Sequence, residues 1–176
     1  MNKPGFGGLR GLKSVRIFPI EENTTTAYTT EEKVDLPFAQ NLGKDVSRNE
    51  QPVYADDEIY DNISDYQYED LTLTIVELSL KIEALLQGST FDEETGVYTF
   101  RNTDVAPDFA LGYAALRKDG NYRMFKHYCV KLMNVNVSHN TKGDNAEYQT
   151  YELTFRNSQR RADGAVRVIK DSEDGK

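Results

Sequence analysis

The sequence predicts a mainly β protein, an antiparallel sandwich or barrel with one short flanking α-helix. Several segments alternate apolar and polar residues with a period of two, and a single segment has a helical period. Turn residues separate the alternating segments, as is typical of antiparallel strands. A sheet of such strands buries its apolar face by packing on a second sheet or by closing on itself.

The length of 176 residues fits one domain, or one domain with long arms. Residues 1–9 are rich in glycine and predict a flexible N-terminal arm. Residues 10–170 predict one β domain, and residues 171–176 predict a charged C-terminal tail.

The first elements are predicted as a strand over residues 12–20 that ends near Pro19, then a loop over residues 23–32. Residues 34–38 alternate briefly, and Pro37 favours an edge strand or a strand end because proline cannot donate to a ladder. Residues 40–66 are polar and poorly periodic, so we expect a long loop there. A loop of that length inside a compact domain usually serves a function.

Residues 68–75 give the clearest strand pattern, with three apolar side chains on one face and Asp and Thr on the other. The period then changes, and residues 78–86 place leucines and an isoleucine on one helical stripe. Ser79 is the predicted N-cap, and Gly88 is the predicted left-handed residue that ends the helix.

The remaining segments return to the β pattern, with strands expected at residues 97–101, 109–117, 122–137, 147–157 and 166–169. Asp119-Gly120 between two such runs predicts a hairpin with a type I′ turn. The strand over residues 122–137 is apolar on both faces, which predicts a second covering besides its own core.

The net charge is 21 − 29 = −8, which disfavours tight nucleic-acid binding because phosphates are bound by basic surfaces. Cys129 is the one cysteine, so folding in a reducing cytoplasm is expected. No apolar run approaches the roughly 20 residues that a membrane helix needs. We therefore expect no membrane partner.

The sequence contains no convincing catalytic or metal motif, so we expect no enzyme activity and no cofactor or metal. His127 and Cys129 are two residues apart and would share one face of a regular strand, and a buried structural role is favoured for Cys129. The run Asp56-Asp57-Glu58 lacks the alternate ligand spacing of a calcium loop.

Tyrosine is unusually frequent, with 11 Tyr and no Trp. Tyr54, Tyr60, Tyr66 and Tyr68 cluster in and after the polar segment. Tyrosine is enriched at interfaces because it combines a large contact area with a hydrogen-bonding tip. Ordinary strand and loop tyrosines explain the composition about equally well.

Short stretches with a shared family character run along the chain, and the clearest of them is Pro52-Val53-Tyr54-Ala55-Asp56-Asp57-Glu58-Ile59-Tyr60-Asp61. The others lie at residues 11–20, 68–88, 109–113, 119–123, 140–144 and 148–155. Together they cover most of the chain, and in this order they resemble the major tail protein family of siphophages that infect Gram-positive bacteria.

The resemblance implies a virion tail protein, assembled in the host cytoplasm, whose copies form rings of six that stack into a tube. DNA passes through the lumen without specific binding. The implied partners are further copies of the chain and the tape measure, distal tail and terminator proteins. Residues 40–66 are then the assembly loop, and residues 1–9 and 160–176 are the locking arms.

We predict subunit-interface residues in the assembly loop and on the doubly apolar strand: Tyr54, Ala55, Asp56, Asp57, Ile59, Tyr60, Tyr66, Tyr122, Met124 and Tyr128. Three alternatives remain open. They are another ring of a phage tail, neck or related secretion tube, a monomeric carbohydrate-binding β-sandwich, and a small enzyme that uses carboxylates.

Overall fold

The computed structural model describes residues 8–55, 57–137 and 150–172. Within those residues the strands are β1 (Leu9–Asn23), β2 (Tyr28–Thr30), β3 (Val34–Asp35), β4 (Ala39–Ala55), β5 (Glu58–Ile75), β6 (Thr90–Asp92), β7 (Val97–Thr99), β8 (Asp108–Arg117), β9 (Tyr122–Val137), β10 (Tyr151–Ser158) and β11 (Arg167–Asp171). One helix, α1 (Leu80–Gln87), lies between β5 and β6.

The main sheet is antiparallel and has the order β2-β1-β8-β9-β10-β5-β4. Strand β3 also pairs with β1, and β11 also pairs with β9, while β6 and β7 form a separate hairpin. Residues from both halves of this order share one core, so the arrangement is sandwich-like. The predicted mainly β fold with one short helix is confirmed.

The core is built by alternate residues of the central strands. Leu71, Leu73 and Ile75 of β5 are at most 1% exposed and lie opposite the inward residues of β10. Leu153 and Phe155 of β10 are fully buried with them. Full burial of each such side chain stabilises the fold by about 1.5–3 kcal/mol. The predicted strand over residues 68–75 is therefore the inner half of a longer strand.

Helix α1 begins and ends where the sequence predicts. The Ser79 hydroxyl accepts a hydrogen bond from the Ile82 N–H at 3.3 Å. Gly88 has φ +68°, and a Cβ at this position would lie 2.1 Å from the Val105 carbonyl oxygen. Glycine is thus required both by the left-handed backbone and by the close approach of the next segment.

The predicted loop over residues 40–66 is wrong as a conformation, because these residues form a long antiparallel hairpin of β4 and β5. The ladder continues from Ala39 opposite Ile75 to Ala55 opposite Glu58. The outer half of this hairpin has no core beneath it, so neither face needs to be apolar. The sequence therefore lacks the period-two pattern from which half-buried strands are recognised.

The domain ends also differ from the prediction. Leu9 already belongs to β1 and lies opposite Arg117. Asp171 belongs to β11, and the Ser172 N–H donates to the Tyr122 carbonyl at 2.8 Å. Pro19 lies within β1 and does not end it. Residues 1–7 and 173–176, and the stretch at 140–144 that resembles the tail protein family, lie outside the described residues.

The β8–β9 hairpin is confirmed, but its turn is not type I′. Only Gly120 of the predicted pair has positive φ, at +88°. Its N–H donates to the Arg117 carbonyl at 3.1 Å, and the Arg117 N–H donates to the Asn121 carbonyl at 2.7 Å. These bonds define a three-residue loop, a type I turn followed by a left-handed glycine.

A bulge separates His127 from Cys129. Phe109 and Leu111 of β8, two residues apart, lie opposite Val130 and His127 of β9, three residues apart. The extra residue reverses the alternation, so His127 faces inward while Cys129 lies on the outer face. The expectation that the two share a face is therefore wrong. Cys129 is buried, and burial raises the pKa of its thiol.

Candidate subunit-interface surfaces

The outer half of the β4–β5 hairpin, residues 48–66, is a two-stranded ribbon in solvent, named here the ribbon. All of its side chains for which burial is described, at residues 48–54 and 57–66, are exposed. Tyr60 is 79% exposed, Tyr54 66% and Ile59 63%. An isolated two-stranded hairpin is marginally stable in water, so a ribbon of this kind is typical of a surface that another chain covers.

The ladder register shows which ribbon residues share a face. Tyr54 lies directly opposite Ile59, and Tyr66 lies directly opposite Arg48. Residues 48 and 54 are an even number apart on β4, so these pairs lie on one face of the ribbon. Asp57 has φ +66° in the turn at the tip. The side chain of Ala55, and Asp56 as a whole, lie outside the described residues.

The ribbon is strongly acidic. Residues 48–66 contain one basic residue, Arg48, and six acidic ones, so their net charge is 1 − 6 = −5. The other 157 residues share the remaining −3 of the total of −8. A partner for the ribbon is therefore expected to carry basic groups beside apolar ones.

The predicted residues of β9 lie on a second surface, the outer side of the sheet. Tyr122 is 37% exposed and Met124 39%. Across the strands Met124 lies opposite Ala114 of β8 on one side and Lys170 of β11 on the other. The Lys13 ammonium reaches the Tyr122 hydroxyl at 3.5 Å.

Tyr128, the third predicted residue of β9, is engaged within the chain. Its ring is half-buried and lies 4.1 Å from the Arg160 guanidinium carbon and 5.8 Å from the Tyr28 ring, which meets it edge-on. The Tyr28 hydroxyl donates to the Tyr128 carbonyl at 2.5 Å, and burial raises the pKa of Tyr28 to about 12. These contacts provide the second covering that the apolar pattern of this strand predicts.

A shallow groove of about 250 Å³ runs across the same outer side. Gly112 and Phe18 line it, and a Cβ on Gly112 would lie 3.7 Å from the Phe18 ring and 3.8 Å from the Phe125 carbonyl oxygen. Met124 and Lys126 line it on the β9 side. The groove has room for one aromatic ring.

A buried polar cluster of Glu69, His127 and Asn157 lies where the ribbon leaves the core, and sequence patterns do not reveal it. All three residues are 0% exposed. Glu69 Oε1 lies 3.0 Å from His127 Nδ1 and 3.1 Å from Asn157 Nδ2, and the second carboxylate oxygen accepts a bond from Arg167 of β11. The Tyr113 ring stacks on the imidazole at 5.9 Å.

The surroundings of His127 keep its imidazole neutral. Burial lowers its pKa to about 4, and the charge of Lys44 acts in the same direction. Its Nε2 is buried without a hydrogen-bond partner in the described structure. A protonated ring would bury an unpaired N–H there, which costs about 1–3 kcal/mol.

The described residues hold no group of three or more His, Cys, Asp or Glu side chains placed to bind a metal ion. The same part of the chain has no helix that is long and apolar enough to cross a membrane.

No protein-family model and no curated protein sequence matches the chain. Among solved structures it is similar to a chain in the cryo-EM structure of the anti-feeding prophage baseplate, with six-fold symmetry applied. That similarity covers 98% of this chain and 97% of the other, at 8% sequence identity and a TM-score of 0.45.

Proposed function

We propose that the chain is a structural subunit that assembles with copies of itself into stacked rings, and that these form the tail tube of a phage. The observation that carries the proposal is the ribbon, which holds its large apolar side chains in solvent beyond any core. A monomer gains nothing from exposing Tyr54, Ile59 and Tyr60, whereas a subunit buries them against a neighbour.

The sequence resemblance supports the same proposal. The stretch most similar to siphophage major tail proteins, residues 52–61, covers the tip of the ribbon. In this proposal the stacked rings enclose a lumen through which DNA passes. The acidic charge of the chain keeps phosphates from binding to its wall. The further partners are the tape measure, distal tail and terminator proteins.

A ribbon deletion tests the proposal. Asn49 lies opposite Asp65, so residues 50–64 can be replaced by Asn-Gly, which closes a two-residue hairpin at that register. We expect a folded monomer that forms no rings or tubes under conditions in which the unmodified chain forms them. Circular dichroism verifies the fold, and electron microscopy with light scattering measures assembly.

The matched control is Glu94→Ala in the exposed turn of the β6–β7 hairpin, which should assemble as the unmodified chain does. Normal tubes from the ribbon deletion would refute the assembly role of the ribbon.

A further inference from the structure

The outer side of the sheet carries a basic face, defined here by Lys13, Gly112, Ala114, Met124, Lys126 and Lys170. The register puts these residues on one side of the sheet, because Lys13 and Met124 both lie opposite Ala114 and Lys126 lies opposite Gly112. Lys170 lies opposite Met124 on the other edge of β9.

The lysines of this face are not neutralised by carboxylates of the described chain. None of the ion pairs within 4 Å among those residues involves Lys13, Lys126 or Lys170. The nearby acidic groups have other partners, since Asp35 binds Arg16 at 2.8 Å and Asp171 binds Arg123 at 2.5 Å.

The basic face also offers apolar contacts at its centre. Met124 is 39% exposed. The groove over Gly112 is lined by Met124 and by Phe18. A surface with an apolar groove surrounded by lysines complements a ribbon face that carries exposed apolar side chains among carboxylates, such as Ile63, which is 45% exposed.

We propose that the basic face receives the ribbon of a second copy of this chain. The ribbon and the outer side of β9, which both carry predicted interface residues, are then the two halves of a single contact. Ile63, which lies between Asp61 and Asp65 on the same face of the ribbon, occupies the groove over Gly112, and the carboxylates of Asp61 and Asp65 meet the ammonium groups of Lys13 and Lys126. This inference rests on the proposed function and names the surface that the ribbon binds.

The contact is heterologous, because it joins two different surfaces of the same chain. Each copy offers both a ribbon and a basic face, so one contact leads to the next and the assembly grows as rings or filaments. The ribbon is acidic and the face is basic, which favours a contact between ribbon and face over a contact between the ribbons of two copies.

A charge exchange tests the pairing. The face variant carries Lys13→Glu and Lys126→Glu, and the ribbon variant carries Asp61→Lys and Asp65→Lys. Each variant alone sets like charges against each other, so its critical concentration for assembly should rise at least about tenfold. In an equimolar mixture every ribbon meets a face of opposite charge, and assembly should return with both variants in the same particles.

A second variant tests the groove without changing charge. Gly112 has no positive φ, and a Cβ there makes only ordinary contacts, so Gly112→Val should fold. Its side chain fills the groove, and assembly should weaken as in the face variant. The charge control is Lys81→Glu on α1, and circular dichroism verifies that every variant is folded.

The outcomes separate the two proposals. If the unmodified chain assembles while the face variant and Gly112→Val assemble equally well, the basic face is not the receiving surface and the proposed function stands. If the face variant and the ribbon variant are folded but do not assemble either alone or in the mixture, the pairing of ribbon and basic face is overturned. If the unmodified chain forms no assembly at any concentration, both proposals fail together.

Discussion

Acidification should destabilise the folded chain through His127 well before the carboxylates of the surface titrate. The imidazole is enclosed by Glu69, Asn157 and Tyr113, with Lys44 and Arg167 as the neighbouring cations. In the unfolded chain the ring is open to solvent and titrates near pH 6.5. Folding lowers its pKa to about 4, so the unfolded state binds the proton more readily.

The sign and magnitude follow from that difference. A lowered folded-state pKa contributes stability that is fully present above about pH 6.5 and is lost as the pH falls toward 4. The full difference of about 2.5 pKa units corresponds to roughly 3 kcal/mol. Between pH 7.5 and 5.5 the expected loss is about 1.4 kcal/mol, which is a large share of the stability of a small domain.

Urea denaturation followed by circular dichroism measures this loss at both pH values, at a protein concentration below assembly. The lower pH stays above the isoelectric point of about 4.8, where loss of net charge would promote aggregation. His127→Gln is the matched variant, since it keeps a polar side chain beside Glu69 and cannot titrate. Its free energy of unfolding should change much less between the two pH values. An equal pH dependence in both proteins would refute the role of His127.

Further predictions concern the ribbon, the helix end and the core. Tyr54→Ala should weaken each assembly contact by about 2 kcal/mol, in the range of interface hot spots, and so raise the critical concentration for assembly, with an unchanged free energy of unfolding of the monomer. Light scattering against concentration measures it, and an unchanged critical concentration would contradict the ribbon contact. Gly88 and Gly96 both have positive φ, so replacing Gly96 by alanine should lower the free energy of unfolding by about 1 kcal/mol. Gly88→Ala should lower it by more, because only at Gly88 would the new Cβ lie 2.1 Å from the Val105 carbonyl oxygen. Equal losses in urea denaturation would show that the close approach to Val105 relaxes freely. Leu153→Ala should cost about 2–5 kcal/mol, since Leu153 is fully buried between β5 and β9. A loss below about 1 kcal/mol would place Leu153 outside the core.

The elements that the sequence predicted correctly are those in which a local rule and the tertiary structure agree. The inner half of β5 alternates because one of its faces lies on the core. Helix α1 is delimited by a serine whose hydroxyl accepts the Ile82 N–H and by a glycine in the left-handed region. Both signals lie within a few residues of chain, so they can be read without knowledge of the fold.

The sequence does not predict the ribbon as a pair of strands, because strands that are exposed on both faces need no period-two pattern of apolar residues. Its residues are held by backbone hydrogen bonds to the opposite strand, and both faces are exposed. The cluster of tyrosines and carboxylates still marked the segment as a candidate surface. Whether that surface binds another copy stays a prediction.

The polar cluster and the basic face could not be predicted because they depend on long-range register. Glu69, His127 and Asn157 come from β5, β9 and β10, and a bulge in β9 decides that His127 faces inward. Lys13, Lys126 and Lys170 are likewise far apart in sequence and meet only across β1, β9 and β11.

The most direct test of the central claim is negative-stain electron microscopy of the unmodified chain over a concentration series, with light scattering on the same samples. We expect hollow rings at low concentration and stacked tubes as the concentration rises. A strict monomer up to the solubility limit, with the ribbon in solvent throughout, would contradict assembly into rings and tubes.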